Sequence, residues 1–416
     1  MPGKSNKTSF YYGWVIVGIL AVANAVGMGM ATLNIGLYIK PMGDELGIGR
    51  ASFGWASTVR SMSSAVTSPI LGNLIDKYGV RWILAIGTII TGSCMIGMAY
   101  VTLSWQLIII FSIMGLVGLA GPGALVTSIP PSKWFIRNRG KALAITAIGI
   151  SAGAAIFIPL TQIFISTYSW QKAWVILGVS GMIILAPLSI IFIRRQPEDM
   201  GLLPDGDSHQ SNNYHDIQTN TEHSFTLRDA IKTPSMWLLT LAFSILTLGI
   251  LTFALHRIPA FMDRGLDPTS VSIATAFDAV CAGIGSFSGG MLVKKFSTKV
   301  IGSAAFLLLS IASVMTIYAY DFWLMFISMA LFGLGIGVNG FTQNYIWAEY
   351  FGRKHLGNIR GFVTPINLVL GGIGAPIAGY VLDSTGSYDP AWWAAVALMI
   401  LASIIFYLSE KPIPKT

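Results

Sequence analysis

Charge is scarce in this sequence. Only 11% of its 416 residues are Asp, Glu, Lys or Arg, against about 25% in soluble globular proteins. Together with 54% hydrophobic residues, this excludes a soluble enzyme and a disordered chain. Cysteine is scarcer still. Cys94 and Cys281 are the only two, and both lie inside apolar runs. That excludes a secreted disulfide scaffold, and the two read as small packing residues rather than a disulfide or metal site. Catalytic signatures are also missing: there is no His-Glu-x-x-His pattern, no Cys-x-x-Cys pair and no nucleophile elbow. No Gly-x-x-x-x-Gly-Lys-Ser/Thr loop is present to bind ATP. Neither enzymatic activity nor a cofactor or metal is expected. The first apolar run, starting near Gly13, is too long for a signal-peptide core and lacks a small-residue cleavage site, so no cleavable signal is expected.

Apolar runs near twenty residues are what the chain has in quantity, and that length crosses a hydrocarbon core about 30 Å thick. Twelve spans are predicted, over 13–39, 51–75, 82–102, 106–130, 142–166 and 173–193, then 236–259, 269–293, 300–320, 322–348, 358–382 and 390–409. The expected fold is an all-α membrane protein of two six-helix bundles, residues 1–193 and 236–416. Between them, residues 194–235 are polar and rich in Asp, Asn, Ser and His. They read as a flexible linker, with 205–225 mobile.

The basic residues orient the spans. An even number of spans puts both termini on one side. That side, with the linker, holds 20 of the 26 Lys and Arg residues, among them Lys77, Arg81, Lys133, Arg137, Arg139, Lys141, Lys294, Lys295 and Lys299. Lys40, Arg50, Lys172, Arg257 and Arg264 fall on the other side, and Arg60 falls inside a span. Both termini are therefore expected in the cytoplasm of a multi-pass cell-membrane protein. The net charge of +8 is accounted for by this bias against an anionic leaflet, and no nucleic acid partner is expected.

The two halves repeat each other. Gly72-Asn-Leu-Ile-Asp76-Lys-Tyr-Gly79-Val-Arg81 follows span 2, and Gly290-Met-Leu-Val-Lys294-Lys-Phe-Ser297-Thr-Lys299 follows span 8. Trp134-Phe135 with Arg139-Gly140 is echoed by Tyr350-Phe351 with Arg360-Gly361. Ser166-Thr167 with Ala173-Trp174 is echoed by Ser384-Thr385 with Ala391-Trp392. Parallel six-span repeats with substrate between them are a transporter arrangement.

Gly72, Asp76, Gly79 and Arg81 match the loop signature of the major facilitator superfamily, which the chain resembles over essentially its whole length. A narrower resemblance is to the monocarboxylate porter and oxalate/formate antiporter branch. It rests on Gly13-Trp14 at the start of span 1, without that branch's preceding acidic residue, and on Trp134-Phe135, Arg137, Arg139 and Ala142-Leu143-Ala144. The close of span 6, Arg194-Arg195-Gln196-Pro197-Glu198-Asp199 and then Gly201, is also similar. The branch often carries a basic residue in span 8 that meets the substrate carboxylate. Here that stretch reads Phe277-Asp278-Ala279-Val280-Cys281-Ala282-Gly283, with no Arg or Lys.

Arg60 is the most informative candidate. A central membrane Arg costs about 2.5–3.5 kcal/mol even on the mildest insertion scale, so it should face a wet cavity or a partner. Its alternative role is to snorkel or to satisfy backbone carbonyls between helices. Asp278 lies twelve residues before Gly290, as Arg60 lies twelve before Gly72. The repeat thus places the two charges at equivalent positions, where they are expected to pair and to bind anion and proton respectively. A structural ion pair, or an Asp that stays protonated and only hydrogen-bonds, is the alternative.

Asn24, Asn34 and Tyr38 in span 1, Asn339, Gln343 and Trp347 on one face of span 10, and Asn367 in span 11 are further substrate-binding candidates. Interhelical hydrogen bonding is the competing role. The resemblance implies that spans 1, 4, 7 and 10 line the cavity. His256 is a second proton-coupling candidate, although an interfacial His beside a snorkelling Arg257 competes with that reading. Gly118, Gly121, Gly335 and Gly337 read as helix-packing residues. For gating, Gly72 and Gly79 permit a tight turn next to Arg81. Asp76 can pair with Arg139 when the inner side is closed, a latch that Lys294 denies to the second copy.

The expected function is secondary transport of a small organic anion, a monocarboxylate coupled to protons, by a monomer in the bilayer. Efflux of amphipathic compounds is one competing reading. A transporter-like sensor that moves nothing is the other, and the short polar linker counts against it.

Overall fold

The structure, a computed structural model, describes residues 11–29, 32–117, 125–135, 138–206, 225–293, 295–352 and 355–412. Every regular element among them is helical. In the first half these are α1 (Gly13–Met28), α2 (Thr32–Leu46), α3 (Arg50–Tyr78), α4 (Val80–Met98), α5 (Ser104–Val117), α6 (Leu125–Trp134), α7 (Arg139–Thr167) and α8 (Trp170–Phe192). A short α9 (Leu227–Ile231) precedes α10 (Pro234–Ala254), α11 (Arg257–Asp263), α12 (Pro268–Leu292), α13 (Thr298–Ile317), α14 (Phe322–Phe351), α15 (Leu356–Gly372), α16 (Gly374–Thr385) and α17 (Asp389–Leu408).

Spans 1, 4, 7 and 11 are each built from two consecutive helices. Among the described residues nine helical stretches are long and apolar enough to cross a membrane, and α1 and α5 are shorter apolar helices. The 29-residue α3 is long enough to cross, but Arg60 and its many Ser and Thr residues lower its hydropathy. Span 1 runs on to Leu46 through Pro41, and span 7 runs on to Asp263. Both are longer than the apolar runs alone suggest.

The helix pairing occurs twice. In the first half α1 packs on α7, α3 on α5 and α4 on α8. In the second half α10 packs on α15, α12 on α14 and α13 on α17. Numbered as spans, these are 1–5, 2–4 and 3–6, then 7–11, 8–10 and 9–12. Across the halves α7 meets α12, and α3 meets α15 and α16, a relation that exchanging the halves preserves. Several helices begin on a side-chain cap: Ser169 accepts from Lys172 N at 3.2 Å, Asp267 from Ser270 N at 2.8 Å and Asp321 from Leu324 N at 3.0 Å. Each cap satisfies an amide that the helix itself leaves unpaired.

The flanks of the predicted linker are not loose, which corrects the expectation that all of 194–235 is flexible. Prolines start short 3-10 turns at Pro197–Met200 and Pro204–Gly206. Asp205 Oδ1 then accepts from both the backbone and the side chain of Asn138, at 3.1 Å each. On the far side the Phe225 amide donates to the Phe351 carbonyl at 2.9 Å, and their rings meet edge-on. Both ends of the 205–225 stretch expected to be mobile are thereby anchored. Residues 207–224 lie outside the described residues.

Candidate functional site

Arg60 and Asp278 each lie ten residues after the first residue of their helix, α3 and α12. At 1.5 Å per residue that is about 15 Å of depth for both. Each sits where a glycine of the paired helix touches its own backbone carbonyl. A Cβ on Gly115 would stand 2.2 Å from the Arg60 oxygen, and one on Gly333 would stand 2.0 Å from the Asp278 oxygen. The repeat register read from the sequence therefore matches the helix contacts.

Their surroundings differ. Arg60 is 7% exposed, and its guanidinium stands 5.9 Å from the centre of the Phe111 ring. Among the described residues it has no hydrogen-bond or ion-pair partner. Asp278 is 2% exposed and its Oδ2 accepts a 2.6 Å hydrogen bond from Arg257 Nη2. Asp278 thus pairs with Arg257, which corrects the expected pairing with Arg60.

Arg257 and His256 are both fully buried, a second correction. They do not sit at the interface, because α11 carries span 7 two turns beyond them. Just after the break between α10 and α11, the Arg257 guanidinium lies over Phe332 at 4.3 Å. Arg257 Nε and Nη1 and Asp278 Oδ1 remain buried without partners, so the pair keeps spare donors and a spare acceptor. His256 Nε2 lies 2.8 Å from the Ala375 carbonyl, and its Nδ1 lies 3.4 Å from the Tyr388 hydroxyl.

The polar candidates divide into two groups. Asn24 Nδ2 donates to the Thr146 carbonyl at 2.9 Å, tying α1 to α7. Ser244 donates to Asn367 Oδ1 at 2.7 Å, tying α10 to α15. These are equivalent pairs in the two repeats, and both asparagines are committed to helix packing. Asn34 Nδ2 donates to the Gly29 carbonyl across the break in span 1, and its Oδ1 is buried without a partner. One turn on, the Tyr38 ring stacks on Trp174 at 4.1 Å. Its hydroxyl, beside Thr161, makes no hydrogen bond of good geometry. Asn339 Oδ1 is likewise buried and unpaired, Gln343 is half-buried, and Trp347 belongs to the core against Phe243.

Gly149-Ile-Ser151-Ala-Gly153 does have the spacing of a nucleophile elbow, which corrects the expectation that the sequence has none, but it lies inside α7. Its glycines seat on the Ala21 and Ala25 carbonyls of α1, and Ser151 donates to the Ala279 carbonyl at 3.3 Å. Of the gating residues, Gly79 has φ +77° at the turn between α3 and α4, a conformation suited to glycine. Arg81 is half-buried over Trp82. Gly72 lies inside α3, six residues before its end, so the turn falls at Gly79 alone, which corrects the expectation that both glycines form it. The side chains of Asp76 and Arg139, with Gly118, Gly121 and Lys294, lie outside the described residues. Gly337 packs on the Ala282 carbonyl and Gly335 on Leu309.

The sequence reading missed a charge cluster at the end of the bundle remote from the termini. Asp263 accepts from Arg50 Nη2 at 3.3 Å and also pairs with Lys40. Asp383 accepts from the backbone amides of Arg50 and Ala51 at 3.0 Å each. The signal was present as Lys40 and Arg50 near span ends in the first half and Asp263 and Asp383 near span ends in the second, mixed with Asp44, Glu45 and Arg264.

The described geometry is that of a two-half membrane carrier, and comparison with known proteins agrees. The model of the Major Facilitator Superfamily matches residues 18–261 and 258–416. Monocarboxylate transporter 2 of Meriones unguiculatus is 21% identical, over 96% of this chain and 84% of that one. The oxalate:formate antiporter of Oxalobacter formigenes is 24% identical, over 91% and 88%. The crystal structure of the nucleoside transporter NupG shares the fold, with a TM-score of 0.73 at 13% identity over 95% of this chain and 98% of that one. The chain belongs to the major facilitator superfamily.

Proposed function

We propose that this transporter carries a small organic anion, a monocarboxylate, by alternating access between bundles 1–193 and 236–416, with proton coupling and with both termini cytoplasmic. The observation that carries the reading is Arg60, a buried mid-span cation without a counter-charge among the described residues. A desolvated carboxylate needs a fixed cation, and a guanidinium offers two parallel donors. Asn34, Tyr38 and Asn339 add buried, unpaired polar atoms. The resemblance to carboxylate carriers supports the same substrate class.

Arg257 and Asp278 are the proposed proton-coupling pair. A carboxylate held by Arg60 also takes Nη2 of Arg257 away from Asp278. Asp278, left without its partner and next to a second negative charge, takes up a proton. Anion and proton then cross together.

Counterflow in proteoliposomes tests the substrate class, with formate, lactate, pyruvate and oxalate as probes. Saturable exchange of at least one is expected. Flux of amphipathic drugs with no carboxylate exchange would replace this reading with efflux, and tight binding without flux would replace it with a sensor. Protease added outside intact cells is expected to leave residues 207–224 uncut, and cleavage there would reverse the orientation.

A further inference from the structure

The N-terminus of α3 has no cap of its own. Its N-cap residue is Gly49, which offers no side chain to the first amides. The equivalent start of α12 is capped from within its own half, by Asp267 on Ser270 N. For α3 the acceptor comes from the other half of the molecule. Asp383 of α16, 333 residues away in sequence, places Oδ1 on Arg50 N and Oδ2 on Ala51 N. Gly379 makes the approach feasible, since a Cβ there would stand 2.5 Å from the Ala51 nitrogen. Ion pairs cross between the halves at the same place, with Lys40, which also pairs with Asp44 of its own helix, and Arg50 on one side and Asp263 and Asp383 on the other.

We infer that Asp383 is a switchable cap that holds this end of the transporter shut. The inference rests on the alternating-access reading above. When the halves meet, the orphan amides of α3 are satisfied and a carboxylate sits at the favourable end of its dipole. When they part, the amides pass to water, Arg50 loses Asp263, and Lys40 keeps only Asp44 of its own helix. Asp267 rides with its own helix and contributes equally in both states. The start of span 2 therefore senses closure, whereas the start of span 8 does not. A helix cap changes an equilibrium by about tenfold, which is enough to set the ratio of closed to open molecules.

The test uses the full chain in lipid nanodiscs without substrate, so it does not depend on the carboxylate reading. Spin labels are placed at Tyr100→Cys and Tyr318→Cys, both exposed and one in each half, in a Cys94→Ala, Cys281→Ala background. Distances are measured by double electron–electron resonance. Asp383→Ala is expected to shift the ratio about tenfold towards longer distances, and Asp383→Asn, which keeps one acceptor, by less.

Gly49→Ser combined with Asp383→Ala separates gating from simple helix stability. Gly49 has φ −63° and ψ 153°, a conformation that a serine cap adopts. This double variant gives α3 a cap that does not depend on the other half. It is expected to recover thermal stability while the distances stay long. Unchanged distances in both single variants, or closure regained in the double variant, would overturn the proposal. Failure of every carboxylate in counterflow would leave these distances unaffected.

Discussion

Asp278 of α12 accepts a 2.6 Å hydrogen bond from Arg257 of α11, and neither side chain reaches solvent. Breaking a buried ion pair from one side leaves an uncompensated charge, at a cost of about 3–5 kcal/mol. Arg257→Ala should therefore be strongly destabilising in thermal unfolding. Arg257→Met with Asp278→Asn should recover most of that loss, since no charge is stranded. Equal stability of the single and double variants would show that the pair is uncoupled. In proteoliposomes Asp278→Asn, fixed in a neutral form, should exchange substrate but fail to accumulate it under a pH gradient. Accumulation by that variant would make the pair purely structural and leave His256 as the next candidate.

Arg60→Lys keeps the charge and loses the planar fork. Counterflow of the transported carboxylate is expected to fall at least tenfold, with insertion and expression unchanged. If Arg60→Ala exchanged the carboxylate as fast as the parent protein, the anion would bind elsewhere.

The polar residues of the spans should separate by function. Asn367→Ala breaks a tie between α10 and α15, so thermal stability should drop by about 0.6–1.7 kcal/mol, with KM unchanged. Tyr38→Phe removes a hydroxyl that makes no hydrogen bond of good geometry among the described residues, so stability should hold and KM should rise. A reversed pattern would exchange the assignments of the two residues.

The Asp267 carboxyl is held below the usual carboxylate range by hydrogen bonds from the Ser270 backbone N–H and then the Ser270 hydroxyl. A carboxylate with a depressed folded-state pKa stabilises fully above its unfolded value near about 4. That contribution is lost as pH falls through the folded value. Asp267→Ala should cost about 0.5–1 kcal/mol at pH 7, the low end for an exposed, screened cap. The gap to the parent protein should close as the pH falls from about 4 downwards. A gap that persists at low pH would mean that packing, rather than the ionised cap, is responsible.

Depth was legible in the sequence and rotation was not. Run length located the spans, and the loop repeat aligned Arg60 with Asp278, because both are statements about distance along a helix. Which neighbour a side chain meets depends on how helices are turned and paired. Arg257 and Asp278 belong to different helices, and no spacing rule joins them. Arg257 was read as interfacial because the apolar run of span 7 fades near 259, whereas α11 continues to Asp263. Asn24 and Asn367 looked like ligand groups because a lone Asn in an apolar run has the same sequence signature whether it faces a cavity or a neighbouring helix. The cap from Asp383 had no local trace, since its donors lie in the other half of the chain.

Arg257 and Asp278 cancel, while Arg60 stands without a counter-charge among the described residues. The empty protein thus holds one net positive charge from this trio within the hydrocarbon layer. Transmembrane voltage acts on such a charge at about 2.3 kcal/mol per 100 mV for a full crossing. Rocking of the bundles carries Arg60 through part of that field. In the proposed cycle the monoanion on Arg60 arrives with a proton on Asp278, so the loaded trio carries the same single positive charge as the empty one. Under that proposal membrane potential acts with opposite sign on the loaded crossing and on the empty return, doing no net work over a cycle of a neutral anion–proton pair while favouring one resting orientation of the carrier through a single guanidinium.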